Sequence, residues 1–242
     1  MTTWKHLAVA AILVPGAALA DPAYTPWSGD ASLGYLRSTG SVDSTAFNAK
    51  GDLIWKVAPW ENNFNAYGAY TSSAGVSSAE NWGLADKVSY DLTPRDYLWA
   101  TGSYRNDRFN GVVSTYTEAV GYGRHIVKTD RQSLDGDIGL GASQQRQSGE
   151  SDYGDQLIVL GNLAYNLKIT DTSTFTQTLH VEAGHENTFI NPITTLKFVI
   201  VGNLFCTLAY NWQHNTEAPA GTDRTDTQTT VNIGYTFGKK PS

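Results

Sequence analysis

The chain of 242 residues holds a single cysteine, Cys206, and a single methionine, its first residue. One thiol cannot close an intrachain disulfide, nor build a cysteine-based zinc or iron–sulfur site. Charge is scarce as well: Asp, Glu, Lys and Arg make up 17% of the residues, against about 25% in ordinary soluble domains. Cations are the smaller share, 17 Lys and Arg against 23 Asp and Glu for a formal net charge of -6, which argues against a nucleic-acid partner. Long hydrophobic runs are missing too. The most apolar stretch past the N-terminus, Leu196 to Tyr210, is interrupted by Lys197, Gly202 and Asn203 and reads as two strands around a Gly-Asn turn. What is abundant is 13 Tyr, 7 Trp, 8 Phe and 23 Gly. That composition suits an extended β architecture, in a chain long enough for one large domain.

The first twenty residues read as an address. Lys5 and His6 form a basic start, Leu7 to Val14 an apolar core, Pro15-Gly16 a break, and Ala18-Leu19-Ala20 a small-x-small cleavage site before Asp21. This is the pattern of a secretory signal peptide, with an apolar core too short to span a bilayer. No cysteine stands near the cleavage point to carry a lipid anchor. The expected organisation is a signal peptide over 1–20, cleaved after Ala20, followed by a single domain over 21–242.

Beyond it, apolar and polar residues alternate. Val231, Ile233, Tyr235 and Phe237 oppose Thr230, Asn232, Gly234 and Thr236, and Leu204, Cys206, Leu208, Tyr210 and Trp212 oppose Phe205, Thr207, Ala209, Asn211 and Gln213. Such period-2 patterning specifies strands with two unlike faces. Twelve segments follow it, starting near Asp30, Thr45, Asn62, Glu80, Asp96, Val112, Gln132, Gly154, Ser173, Ile193, Asn203 and Thr225. Short connections (Ala58–Glu61, Leu92–Arg95, Lys128–Arg131, Thr170–Thr172, Gly202–Asn203) alternate with longer ones (Ser72–Ala79, Asn106–Val113, Gln144–Asp152, Glu186–Pro192, Asn215–Thr225), and every proline past residue 20 is expected outside the strand cores. Together these features predict an all-β, transmembrane up-and-down antiparallel barrel of about twelve strands in an outer membrane, both termini periplasmic. Aromatics near strand ends (Trp27, Trp55, Trp60, Trp82, Trp99, Trp212, Tyr90, Tyr235) are expected to form interfacial girdles.

Several passages carry a family resemblance: Tyr90-Asp91-Leu92-Thr93-Pro94-Arg95-Asp96-Tyr97-Leu98, Asn106-Asp107-Arg108-Phe109-Asn110-Gly111, Gly121-Tyr122-Gly123-Arg124, Thr129-Asp130-Arg131, Val181-Glu182-Ala183-Gly184, and Asn215 through Gly221 to Thr227. In order and spacing they resemble the YdiY-like salt-induced outer membrane protein family of Gram-negative bacteria. The resemblance implies an outer-membrane barrel and brings no catalytic residues. It implies as partners the outer-membrane lipids and, during biogenesis, the barrel-insertion machinery and periplasmic chaperones. Tyr235 and Phe237 are the candidate insertion signal, although Gly238-Lys239-Lys240-Pro241-Ser242 follows where such barrels usually end on an aromatic residue.

Candidate chemistry is sparse. A barrel hydrolase needs a nucleophile beside a base, as in His-x-Ser; His6, His125, His180, His185 and His214 are followed at the second position by Ala8, Val127, Glu182, Asn187 and Thr216. No catalytic residue, cofactor or metal is assigned. Asp135-x-Asp137 and His180-x-Glu182 each place two ligating groups on one strand face, a pattern read as lumen charge. Gly121-Tyr122-Gly123 and Gly139-Leu140-Gly141 lack the Lys-Ser/Thr and following helix of a phosphate loop and read as sites of curvature or close packing. The inward face is assigned Lys50, Lys56, Lys87, Arg105 and Lys197 with Asp30, Asp52, Asp135, Asp137, Glu182 and Asp226, a near balance unlike a one-sign selectivity ring. Within it His180, Glu182 and Lys197 are expected to form one cluster, with Asp135, Asp137, Lys50 and Asp52 as further lumen charges. The function read from this is a narrow passive channel for small solutes or ions linked to salt adaptation. The alternative is a plugged structural barrel with surface-interacting loops, and a lipid-modifying enzyme stands third. Oligomeric state is not legible.

Overall fold

The computed structural model describes residues 26–38, 44–74, 76–107, 112–147, 152–185, 187–217 and 223–238. The expected signal peptide and the tail after Gly238 fall outside them. Twelve strands, each antiparallel to its sequence neighbours, close on themselves where β1 meets β12. They are β1 Trp27–Ser38, β2 Ser44–Val57, β3 Trp60–Ser73, β4 Val76–Asp91, β5 Asp96–Asp107, β6 Val112–Lys128, β7 Gln132–Gln147, β8 Gly154–Thr170, β9 Ser173–Gly184, β10 Thr188–Val201, β11 Leu204–Asn215 and β12 Thr225–Gly238. Strands of 12 to 17 residues exceed the roughly 9–11 a tilted strand needs to cross a bilayer. Both ends of the barrel sequence, Trp27 and Gly238, lie at the rim that carries the 58–59 and 202–203 turns, here the turn end; the opposite rim is the loop end.

The wall is apolar outside and polar inside. Leu157 is 83% exposed and Leu140 68%, both on the outer face, whereas the inward Ser143 is fully buried. A soluble protein does not spread such apolar surface over its exterior; a bilayer requires it. Ring pairs on the outer face match part of the expected girdles: Trp27 with Trp55 and Trp60 with Tyr90 near the turn end, and Trp82 with Tyr104 further along the wall. The outer face has polar exceptions, among them Glu118, Asp86 accepting from the Asn62 amide at 2.7 Å, and Thr194 donating to Gln177 at 2.6 Å.

Strands β5 to β9 and β12 begin where the alternation puts them. β4 and β10 begin earlier, at Val76 and Thr188, because polar residues continue the ladder past the end of the apolar pattern. The expected long connections at Ser72–Ala79 and Glu186–Pro192 are therefore largely strand. Pro192 lies within β10, opposite Leu179 of β9, correcting its placement outside the strands. Its missing N–H interrupts the β10–β11 ladder between Ile190 and Ile193. The Asn191 carboxamide fills the gap, donating to the Trp212 carbonyl at 2.9 Å.

Turn chemistry fixes the other rim. Thr93 Oγ1 accepts from the Arg95 and Asp96 amides at 3.1 and 2.9 Å, and Thr129 Oγ1 from the Gln132 amide at 3.0 Å. Gly202 takes φ +55° in the two-residue turn before β11, a left-handed conformation that glycine adopts without a Cβ clash.

Candidate functional site

The lumen gathers the ionisable side chains into three centres. The first lies near the turn end. Lys197 of β10 reaches across β11 and β12 to Asp30 of β1, 2.6 Å away, donates to Thr236 Oγ1 at 3.2 Å, and sits 3.8 Å from the Phe205 ring centroid. Lys56 pairs with Glu61 at 2.6 Å and His125 with Asp135 at 2.5 Å at the same rim.

The second centre is a slab of rings on the wall between β5 and β8. Tyr97 and Trp99 point inward from β5 and are buried with Ala119, Ile158 and Leu160. They lie flat because the facing positions are glycines: a Cβ at Gly123 would overlap the Tyr97 ring, and one at Gly121 or Gly139 the Trp99 indole. Lys87 covers the slab, its Nζ 5.0 Å from the Trp99 ring and 5.7 Å from Tyr97, while bonded to Asp137 at 2.5 Å.

The third centre continues from Asp137. Asn162 donates to Asp137 Oδ1 at 2.6 Å and turns its Oδ1 to His180 Nδ1 at 2.6 Å; His180 Nε2 meets Glu182 at 2.8 Å. Arg105 of β5 then crosses over β6, β7 and β8 to bond Glu182 of β9 at 3.1 Å, stacking 4.1 Å over Phe189. The chain of contacts Lys87–Asp137–Asn162–His180–Glu182–Arg105 thus forms a chord in front of the β5–β8 wall. The opposite wall is less covered. Lys50 on β2 faces inward yet its side chain is 57% exposed, with Asp52 3.5 Å away, and the inward Tyr67 of β3 is 41% exposed.

The expected single cluster is therefore divided. His180 and Glu182 touch, but Lys197 belongs elsewhere. Glu182 is registered with Phe189 and Lys197 with Thr174, eight residues further along β10 and about 26 Å at 3.3 Å per residue. β9 ends at Gly184 and β10 begins at Thr188, so counting from a loop ending at Pro192 misplaces the register. Asp137 joins the chord, Asp135 pairs with His125, and Lys50 pairs with Asp52. Tyr235 and Phe237 face outward at the close of β12, opposite Ala31 and Gly29. Trp99 is a correction: it is an inner-wall residue, not a girdle one. Glu61 and Asp107, expected in connections, are strand residues on the inner face, and Asn162, the hub of the chord, carries no signal beyond its polar parity. The pair Tyr97 and Trp99 has a signal, since glycines at 121, 123 and 139 share one face of neighbouring strands.

Separation of the centres has a measurable consequence. Lys197→Ala and Asp30→Ala should cost stability less than additively, because either one alone breaks the same pair. Lys197→Ala and Glu182→Ala should add within about 0.5 kcal/mol, as distant sites do. Urea unfolding of the three single variants, the two double variants and the wild type in vesicles checks both; coupling between Lys197 and Glu182 would contradict the register.

Chemically the lumen holds paired charges and stacked rings. Among the described residues no group of three His, Cys, Asp or Glu is placed to hold a metal ion. His214 bonds Thr225 at 2.8 Å, whereas Thr216, its neighbour at the second position, bonds Asn187.

Known proteins share this architecture. The translocator domain of the autotransporter NalP from Neisseria meningitidis superimposes with TM-score 0.50 at 12% identity, covering 89% of this chain and 90% of that one. The NanC porin gives TM-score 0.52 at 12% identity, with 87% and 100% covered. An outer membrane channel from Pseudomonas putida F1 gives 0.52 at 11%, with 87% and 95% covered. At such identities the likeness is one of fold. The uncharacterised protein YdiY of Escherichia coli (strain K12) is 29% identical over 222 residues, 90% of this chain and 86% of its own length. A family model described as "Protein of unknown function, DUF481" matches residues 31–237.

Proposed function

The chain belongs to the DUF481 family, and from that premise we propose that it is a narrow, water-filled passage for small solutes or ions across a Gram-negative outer membrane, linked to salt adaptation. One observation carries the reading: inward side chains on β2 and β3, Lys50 and Tyr67, keep much of their surface accessible inside the closed wall. The ring slab and the chord fill the β5–β8 side, so the passage runs off-centre, against β1 to β3. The porin and channel folds it resembles support a conducting role, as does the absence of a His-x-Ser motif for a non-enzymatic one. The chord itself favours the second reading, a plugged barrel, in which the β1–β3 side is closed as well.

Ion selectivity separates them. Lys50 is the exposed cation of the passage, so Lys50→Glu should move the reversal potential under a KCl gradient towards cations. A reversal potential identical to wild type would remove Lys50 from the conducting path.

A further inference from the structure

The barrel closes through a half-zipped seam. β1 and β12 are registered from Ser28↔Gly238 to Leu33↔Ile233, and there the pairing stops. Extended, the same register would set Gly34–Ser38 opposite Asn232–Gln228. Both segments are strand, but among the described residues Gly34–Ser38 pair with β2 alone and Gln228–Asn232 with β11 alone. Gly34 still lies against the Val231 carbonyl; beyond it the edges have no ladder partner. In a bilayer every backbone N–H and C=O left without a partner is costly, so an edge parted at the loop-end half needs an occupant or water.

The side chains at the gap describe that occupant. Leu36 points to the inner face of β1 and is 68% exposed, an apolar side chain opening on a polar lumen. Across the gap stand Gln228, Thr229, Thr230 and Val231, uncharged. At its vertex the Asn232 carboxamide oxygen has no hydrogen-bond partner although the residue is 7% exposed. Outside, Leu33, Tyr35, Val231 and Ile233 present an apolar lip. An apolar lip with uncharged hydroxyl and amide edges fits neither an ion nor a charged solute.

We propose that the parted loop-end half of the β1–β12 seam is a lateral portal through which an amphiphile, an acyl chain bearing a small hydrogen-bonding head, passes between the bilayer and the lumen. The chain crosses between the Tyr35 and Val231 lips onto Leu36, while the head bonds the Thr230 hydroxyl and the free strand edges. The portal rests on the lumen proposed above being hollow beside β1, not on its conducting, and it is detected without current.

The test uses the full mature chain in phosphatidylcholine vesicles doped with a monoacylglycerol carrying a diazirine at its acyl terminus. After irradiation, adducts are mapped by mass spectrometry. Adducts on the inward Leu36 and Thr230, beside those on the outward Leu33 and Ile233, are expected. Adducts confined to outward residues would overturn the portal even if the protein conducts. Inner adducts without conductance would keep the portal and overturn the channel. A second measurement uses cysteine pairs on a Cys206→Ser background. Ala31→Cys with Tyr235→Cys, a registered pair within disulfide reach, should oxidise readily. Tyr35→Cys with Val231→Cys should stay reduced; ready oxidation there means a zipped seam and overturns the proposal. Covalent dimers through that second pair would overturn it in favour of strand addition by another copy.

Discussion

Arg105→Ala should lower unfolding stability by about 3 to 5 kcal/mol, the loss expected when a buried charge is left without its counter-ion, and should raise single-channel conductance. The side chain of Glu182 is only 5% exposed and its cation is Arg105. His180 remains beside it but is already tied to Asn162. Truncation also uncovers Phe189, over which the guanidinium stacks, and breaks the chord at its longest reach, across three strands. Water then gains the β5–β8 side. Arg105→Lys should recover part of the stability and less of the geometry, since an ammonium offers a point charge in place of a planar fork. The pair Arg105→Ala with Glu182→Gln should be more stable than Arg105→Ala alone, because the stranded carboxylate has gone. Urea unfolding in vesicles, followed by tryptophan emission, and bilayer recordings measure both effects. Unchanged stability with unchanged conductance would mean the chord bears on neither.

Trp99→Ala should cost about 3 to 5 kcal/mol, as deleting a buried large aromatic does, and should widen the lumen by a second route. The indole fills the trough left by Gly121 and Gly139, and no neighbouring side chain on those strands can replace it. Lys87 would lose its closest ring while keeping Asp137. The void adjoins the lumen, so it is expected to fill with water and add to conductance. Trp99→Phe should keep most of the slab and leave conductance near wild type. If Trp99→Ala loses stability without a change in current, the slab is packing alone and lies away from any conducting water.

The architecture was legible because its period is physical. Val231, Ile233, Tyr235 and Phe237 alternate with small polar residues for the same reason they face lipid, and twelve such segments made a barrel without appeal to any single residue. The alternation also carried Lys50, Lys87, Arg105 and Lys197 to the inner face, even where Asp86 and Glu118 spoil the outer one. Registers across the lumen were less legible. Which anion Lys197 meets depends on where the β9–β10 hairpin turns, and Pro192 hid that turn by sitting inside a strand with a side-chain amide doing the work of its missing N–H. The slab was hidden in another way. Trp99 shares its composition signal with the girdle tryptophans, and only the glycines facing it, on strands that meet it in space, show that it packs inward. The seam had no sequence signal, since Gly34–Ser38 and Gln228–Asn232 are as good strand formers as the residues that do pair.

The most direct measurement is the single-channel current of Lys50→Cys on a Cys206→Ser background in a planar bilayer, before and after a charged methanethiosulfonate reagent. An off-centre, water-filled passage along β1 to β3 predicts small, steady current steps that the reagent cuts. Absence of current, or current that the reagent leaves unchanged, would contradict it.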